Sequence, residues 1–381
     1  MKKDWTYKKL GEVAEIIGGS TPSTSIPENW VGANQWVSPA ELKGEKYFGQ
    51  TIHTISDEAA SKLKLLPVGT VLLSSRAPIG KLAITTQPMY CNQGFKNIVC
   101  GESLYNEYAY YCLKYYVPVL QKLGVGATFK EISKKMVEDF TIPIPPLCDQ
   151  ELIVRELDAI HGILEKKQEQ LRELDHLAQA IFYEMFGDPI TNPKQWEVKK
   201  LGEIFEISSG GTPSKTVKEY WDNGTIPWIG SNMCQNTVVY ETDGKYITQK
   251  GLEKSSAKLL PIDSVLVALV GATIGKVALL KTESSTNQNI AFIKPHKDYN
   301  PIYVFYHLMN QYDLFMNIGN GDFKMATQGF IKGLSLMLAP LSLQQSFAAK
   351  IEAIEAQKTA IRQSIREVEA LLAQRMDHYF N

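Results

Sequence analysis

No run in the 381 residues approaches the ~20 consecutive apolar side chains that a membrane span needs, so no membrane partner is expected. The start MKKDWTYKKL is basic, but no apolar stretch follows it, and a signal peptide is not expected. The chain has five cysteines (Cys91, Cys100, Cys112, Cys148 and Cys234), with no CxxC spacing. An odd, scattered set of this kind reads as free thiols in a reducing cytoplasm, not as a disulfide framework or a metal site. The six histidines form no HExxH or similar ligand pair, so no metal is expected. Excess positive charge is missing too: 40 Lys and Arg against 41 Asp and Glu give a net charge of −1. Composition therefore gives no sign of a chain that holds nucleic acid by charge alone. A basic face offset by acidic helices elsewhere stays open.

What the chain does have is a repeat. WTYKKLGEVAEIIGGSTPS (5–23) returns as WEVKKLGEIFEISSGGTPS (196–214), identical at 12 of 19 positions. The repeat continues in order. Ile79-Gly80-Lys81 returns as Ile274-Gly275-Lys276, Asn92-Gln93 as Asn287-Gln288, and Pro146-Leu147 with Gln150 as Pro340-Leu341 with Gln344. A unit of roughly 190 residues is too long for a solenoid repeat, so it reads as a tandemly duplicated domain.

Each copy divides into a globular part (1–147 and 188–341) and a charged segment free of proline (148–187 and 342–381). The globular parts hold short apolar runs bounded by Gly and Pro: GTVLLSS, KLAITT and KNIVC, then DSVLVALV, KVALLKT and NIAFIKP. These read as strands of a buried sheet. NEYAYYCLKYYVPVLQKL and PIYVFYHLMNQYDLFMNI read as helices. The expected fold class is α+β: two tandem mixed α/β domains, each followed by a long helix.

The charged segments keep a 4, 3, 4, 3 apolar spacing. In the first the stripe is Ile153, Leu157, Ile160, Leu164, Leu171, Leu174, Ala178, Ile181 and Met185; in the second it is Phe347, Ile351, Ile354, Ile361, Ile365, Val368, Leu372 and Tyr379. That is a coiled-coil seam, along helices roughly 58 Å long at 1.5 Å per residue. A lone helix cannot bury such a stripe, and each helix has its own copy as the available partner. Lys167, Lys358 and Arg375 also fall on the seams, where polar residues cost stability and help fix register. Antiparallel pairing is expected, with the two globular domains at opposite ends and a pseudo-two-fold relation between the halves.

Two similar heads at a fixed separation suit a target with two separated sites, such as duplex DNA. In its motifs and their order the chain resembles the specificity (S) subunit of a type I restriction–modification system. The residues that carry the resemblance are the KKLGEV…GGSTPS and KKLGEI…SGGTPS openings, the IGK and NQ motifs, the Pro-Leu…Gln helix entries and the two long helices. It covers essentially the whole chain. The resemblance implies two target-recognition domains, each reading one half of a split asymmetric site in double-stranded DNA, with helix length setting the spacer. It implies no catalysis by this chain. Two modification (methyltransferase) subunits are expected to dock on the helices and methylate adenine with S-adenosylmethionine. Restriction subunits, where present, would add ATP- and Mg-dependent translocation and cleavage. The sequence shows no Walker A motif, no NPP[FY] motif and no glycine-rich cofactor loop. Nor does any carboxylate cluster, Ser/His/Asp set or metal-ligand spacing recur in both copies, as duplicated catalytic domains would require.

Positions shared by the two heads cannot alone explain two different half-sites. They are candidates for fold or for phosphate contact, which positions without specifying. Thr21 and Ser23, with Thr212 and Ser214, are candidates for phosphate contact or are plain turns; Lys215, which matches Thr24 and so is not shared, is a further DNA-binding candidate. Lys81 and Lys276 either reach phosphate or are solvated charges. Asn92, Gln93, Asn287 and Gln288 either pair with adenine N6 and N7 in the major groove or form a structural amide network. Specificity belongs where the heads diverge. Arg76, with Gly271 at the matching place, is a candidate for guanine contact. Lys96 matches Ala291. Thr128 and Lys130 in GVGATFKEIS face Lys324 in GNGDFKMATQ. Ser231, Asn232 and Gln235 lie in WIGSNMCQN where the first head has WVSPAELKG. The recognised bases are not readable from these residues.

Overall fold

The computed structural model describes residues 5–76, 78–126, 130–318 and 325–381. Thr128 and Lys324 lie outside the described residues. The chain forms two compact units. The first runs through Gln168 and takes in Gln363–Asn381; the second is Glu169–Arg362.

In the first unit a five-stranded sheet has the order Ala14–Gly18, Lys96–Cys100, Val71–Leu73, Leu82–Thr85, Tyr47–Phe48. All its pairings are antiparallel except the last. A three-stranded sheet joins His53–Ile55, Asn34–Val37 and Tyr90–Cys91. A two-stranded ribbon pairs Thr6–Lys9 with Thr141–Ile144. The second unit repeats this order strand for strand. Its large sheet runs Ile207–Ser209, Ile290–Ile293, Val265–Ala268, Val277–Leu280, Thr237–Val239. Its small sheet runs Tyr246–Ile247, Ile226–Ile229, Ser285–Thr286, and its ribbon pairs Val198–Lys200 with Ser335–Met337.

The six apolar runs read as strands are the central strands of the two large sheets. They are apolar throughout because both faces are covered. Val71, Leu73 and Ile84 point into one core cluster, and Leu72 and Ala83 into another. Val265, Val267 and Leu279 separate from Leu266, Ala278 and Leu280 in the same way. Side chains alternate with period 2, so a strand buried on both sides loses its polar positions.

The repeated IGK motif has a backbone cause. Gly80 and Gly275 sit at φ +99° and +75°, in the left-handed region. A Cβ there would lie 2.5 Å from Val117 or 2.6 Å from Phe315. Glycine satisfies both constraints.

Asn106–Leu123 is helical as expected. Its counterpart breaks in two, Pro301–Met309 and Tyr312–Met316. At the break the Asn310 side-chain amide donates to the Tyr306 carbonyl (2.9 Å), and that of Gln311 donates to Ser335 (2.9 Å). The first is a local side-chain bond of the kind that competes with helix continuation; the second ties the break to the strand Ser335–Met337.

The charged segments are continuous helices, Leu147–Phe186 and Leu341–Phe380. The first unit contains the start of the first helix and the end of the second. Ile153, Val154 and Leu157 share a cluster with Met376, Tyr379 and Phe380, and Glu156 bonds Arg375. The second unit contains the end of the first helix and the start of the second. Phe186 meets Phe347 at 5.4 Å, and Asp175 bonds Lys358 at 2.7 Å. Two unbroken helices paired start-to-end and then end-to-start run antiparallel.

Along the seam, Ile153, Leu157, Ile160, Leu164, Phe347, Ile351 and Ile354 are buried. Leu171, Leu174, Ile181, Ile361, Ile365, Val368 and Leu372 are half-buried. Further buried positions fall outside the stripe predicted from the sequence: Val154, Phe182, Phe186, Ala348, Met376 and Phe380. They share clusters with strand and helix residues of the recognition domain in their own unit. Each helix serves two apolar partners, so a single 3.5-residue stripe accounts for part of its burial. Fully burying one phenylalanine stabilises by about 1.5–3 kcal/mol, so this flank is a large share of each unit's cohesion.

Candidate nucleic-acid interface

Most of the described residues predicted for the site lie on loops: the TPS and Asn-Gln segments link the two sheets of each unit, the IGK segments link adjacent strands of each large sheet, and Lys96 opens the strand Lys96–Cys100. One loop holds the duplicated TPS motif, and two tryptophans fix it. In the first unit the Trp36 indole N–H donates to the Ser20 carbonyl (3.1 Å) and that of Trp30 donates to Ser23 (3.3 Å). In the second, Trp228 donates to Gly211 and Trp221 to Ser214, each at 3.1 Å. The indoles pack edge to face, at 4.9 Å for Trp30–Trp36 and 5.3 Å for Trp221–Trp228. Ser23 bonds Ser25, and Ser214 bonds Thr216, within the same turns.

Facing this loop is the Asn-Gln turn. Asn92 Oδ1 accepts the Gly94 N–H (2.8 Å), and Asn287 Oδ1 accepts that of Asn289 (3.1 Å). The asparagine backbone N–H groups donate to Val37 and Ile229, each at 3.1 Å. Thus both asparagine carbonyls build the turn. The glutamines meet the TPS loop: the Thr21 hydroxyl donates to Gln93 Oε1, and that of Thr212 donates to Gln288 Oε1. Beneath the first turn Cys91 is buried, which pushes its thiol up to about 12. It is an unreactive packing group there.

Both IGK lysines tie down the neighbouring loop. Lys81 Nζ donates to the Pro39 carbonyl (2.8 Å), and Lys276 Nζ donates to Gln235 Oε1 (2.7 Å). The loops they hold differ. In the first unit Glu41 is buried and accepts from Ser38 and from the Ile52 N–H. In the second, Gln235 donates to the Asn232 carbonyl, and Asn232 donates to Asp243 (3.3 Å). The Lys245 ammonium beside Asp243 holds that carboxyl below the ordinary carboxylate range.

Arg76 stands at the edge of this frame, its side chain 37% exposed and 4.0 Å from Glu131. Lys96 is less available: it donates to Ser75 (3.2 Å) and to Glu131 (3.2 Å), with 13% of its side chain exposed. Lys130 is exposed. In the second unit Lys215, Ser231, Asn232 and Asn287 line one cleft of about 420 Å³, with Lys218, Lys245, Trp221 and Trp228. No group of three or more His, Cys, Asp or Glu could hold a metal among the described residues. Among the same residues, no helix is long and apolar enough to cross a membrane.

The tryptophan pairs, Glu131, Lys218 and Lys245 were not among the residues singled out from the sequence. The signal for the tryptophans was present, since each TPS is followed by two tryptophans. Their spacing differs by one residue between the copies, which hides the match.

The family described as "Type I restriction modification DNA specificity domain" matches residues 2–174 and 193–370. The chain belongs to that family. Over 294 residues it is 32% identical to the type I restriction enzyme MjaIX specificity subunit of Methanocaldococcus jannaschii, covering 71% of this chain and 67% of that one. Over 180 residues it is 34% identical to the EcoR124I/EcoR124II specificity subunit of Escherichia coli, covering 44% and 43%. Two solved structures share the fold. The S subunit from M. genitalium has TM-score 0.57 at 13% identity, covering 99% of this chain and 96% of that one. A chain from a study of complex assembly and conformational transition in the type I R-M system has TM-score 0.65 at 18% identity, covering 98% and 96%. The protein is a specificity subunit with two tandem recognition domains, the non-catalytic DNA-recognising component of a type I system.

Proposed function

We propose that this specificity subunit reads a two-part, asymmetric site in duplex DNA, one half per recognition domain, while the helix pair sets the spacer between the halves. Two modification (methyltransferase) subunits dock on the helices and methylate the site. S-adenosylmethionine belongs to those subunits. ATP and Mg belong to restriction subunits where the system has them. The complex works on cellular DNA, in the cytoplasm.

One observation carries this reading. The same loop frame occurs in both units, held by the same tryptophans, asparagines and lysines, yet the side chains it presents differ. By backbone register Arg76 stands where the second unit has Val270, one residue before the Gly271 that the sequence spacing suggests: Arg76 bridges Glu131 as Val270 bridges Met325. The Glu41-centred loop stands where the second unit has Asn232 and Gln235. A common frame with unlike fingertips suits two different half-sites. Thr21, Ser23, Arg76, Lys81, Asn92, Gln93, Lys96, Lys130, Thr212, Ser214, Lys215, Ser231, Asn232, Gln235, Lys276, Asn287 and Gln288 belong to the proposed DNA-facing loops. In that set Thr21, Lys81, Asn92, Thr212, Lys276 and Asn287, whose polar groups the frame already uses, position their neighbours.

The test is co-expression with the cognate modification subunit and mapping of methylated sites across a random DNA library. Arg76→Ala is expected to relax one base position in one half-site and leave the other half unchanged. Base changes in both halves would contradict the assignment of one half to each domain.

A further inference from the structure

In both units a Thr–Gln side-chain bond joins the TPS loop to the Asn-Gln turn, beside a backbone bond from Ser20 to Cys91 (2.9 Å) in the first unit and from Gly211 to Thr286 (2.8 Å) in the second. Its two sides are independently braced: two indole donors hold the threonine loop, and an asparagine carbonyl holds the glutamine turn. Gln93 and Gln288 are nonetheless exposed. Among the described residues neither glutamine Nε2 has a partner. So each unit presents, at the same place, an amide whose orientation the threonine has fixed. Oε1 keeps one lone pair, and Nε2 keeps its donors.

We infer that Gln93 and Gln288 are specificity-determining residues that read the same base, an adenine in the major groove, at matching positions of the two half-sites. A glutamine pairs with adenine by accepting from N6 and donating to N7, which requires both ends of the amide in a set plane. The threonine clamp supplies that plane in advance and removes the ordering cost that a free glutamine would bear. A phosphate contact would need only a donor, and a neutral amide has little Coulombic draw on a phosphate when Arg76 and several lysines share the surface. Because the clamp is common to both domains, it predicts a base pair common to both halves within an otherwise asymmetric site. This inference rests on the reading that each domain takes one half-site.

The experiment uses the full chain co-expressed with its modification subunit, with methylated sites mapped over a random library. The variants are Gln93→Ala, Gln288→Ala and Thr21→Val. The unmodified chain is expected to require an A·T pair, in addition to the one that carries the methylated adenine, at equivalent places in both halves. Gln93→Ala should reduce discrimination at that pair about 10- to 100-fold in one half only, and Gln288→Ala should do the same in the other half. Thr21→Val keeps the glutamine but frees it, and should give a smaller loss at the same base as Gln93→Ala. Methylation that falls evenly over all sites with an unchanged motif would mark a backbone contact and overturn the inference. An unchanged motif at full efficiency would overturn it as well. Either glutamine variant altering bases in both halves would instead defeat the one-half-per-domain reading, a distinguishable result.

Discussion

At the scale of single residues the duplicated halves show what position demands and what it tolerates. His307 is fully buried beside Phe182 and Tyr303, where the first unit has Cys112. Its Nε2 accepts the Met337 N–H at 3.2 Å, and its Nδ1 has no partner among the described residues. Burial drives its pKa from the ordinary 6.5 down to about 3. The folded state keeps this ring neutral while the unfolded chain takes up a proton. The second unit therefore loses stability as pH falls from 6.5 toward 3, by up to about 1.4 kcal/mol per pH unit. His307→Leu is expected to remove that slope, whatever it does to stability at pH 7. Urea unfolding at pH 7, 6 and 5 measures it, and an unchanged slope would count against the buried neutral ring.

Among the elements, the entry to each long helix shows why a short motif recurs. Gln150 is buried. It accepts the Tyr105 N–H at 2.8 Å and donates to Ser103 and Pro145 at 2.9 and 2.8 Å. Gln344 accepts the Asn300 N–H and donates to Ala339, each at 2.8 Å. One amide thus pins each helix to its domain. Gln344→Leu leaves these buried backbone groups unpaired and is expected to destabilise the chain by about 2–4 kcal/mol in urea unfolding. The duplicated order, the six core strands and the paired helices were legible because burial imposes a period that sequence displays. The flank of Phe182, Phe186 and Phe380 was not, since a second apolar face blurs a single heptad stripe. The tryptophan clips were hidden for two other reasons: the spacing of the pair differs by one residue between the copies, and their partners are backbone carbonyls, which leave no mark in sequence. Lys358 and Arg375 were flagged as seam polars, but their partners Asp175 and Glu156 emerge only with the antiparallel register.

For the whole molecule, antiparallel helices mean that neither recognition domain is complete alone. The first unit's core includes Met376, Tyr379 and Phe380 from the far end of the chain. Residues 1–190 lack them but carry Phe182, Met185 and Phe186 at the equivalent repeat positions. A second copy of the fragment, paired antiparallel, can supply those side chains, so the fragment is expected to be a homodimer. Co-expression of residues 1–190 with the modification subunit, followed by mapping of methylated sites, tests the account most directly. The account predicts a symmetric site, one half-site of the full chain's target repeated in inverted orientation. A direct repeat, or the full chain's asymmetric site, would contradict it.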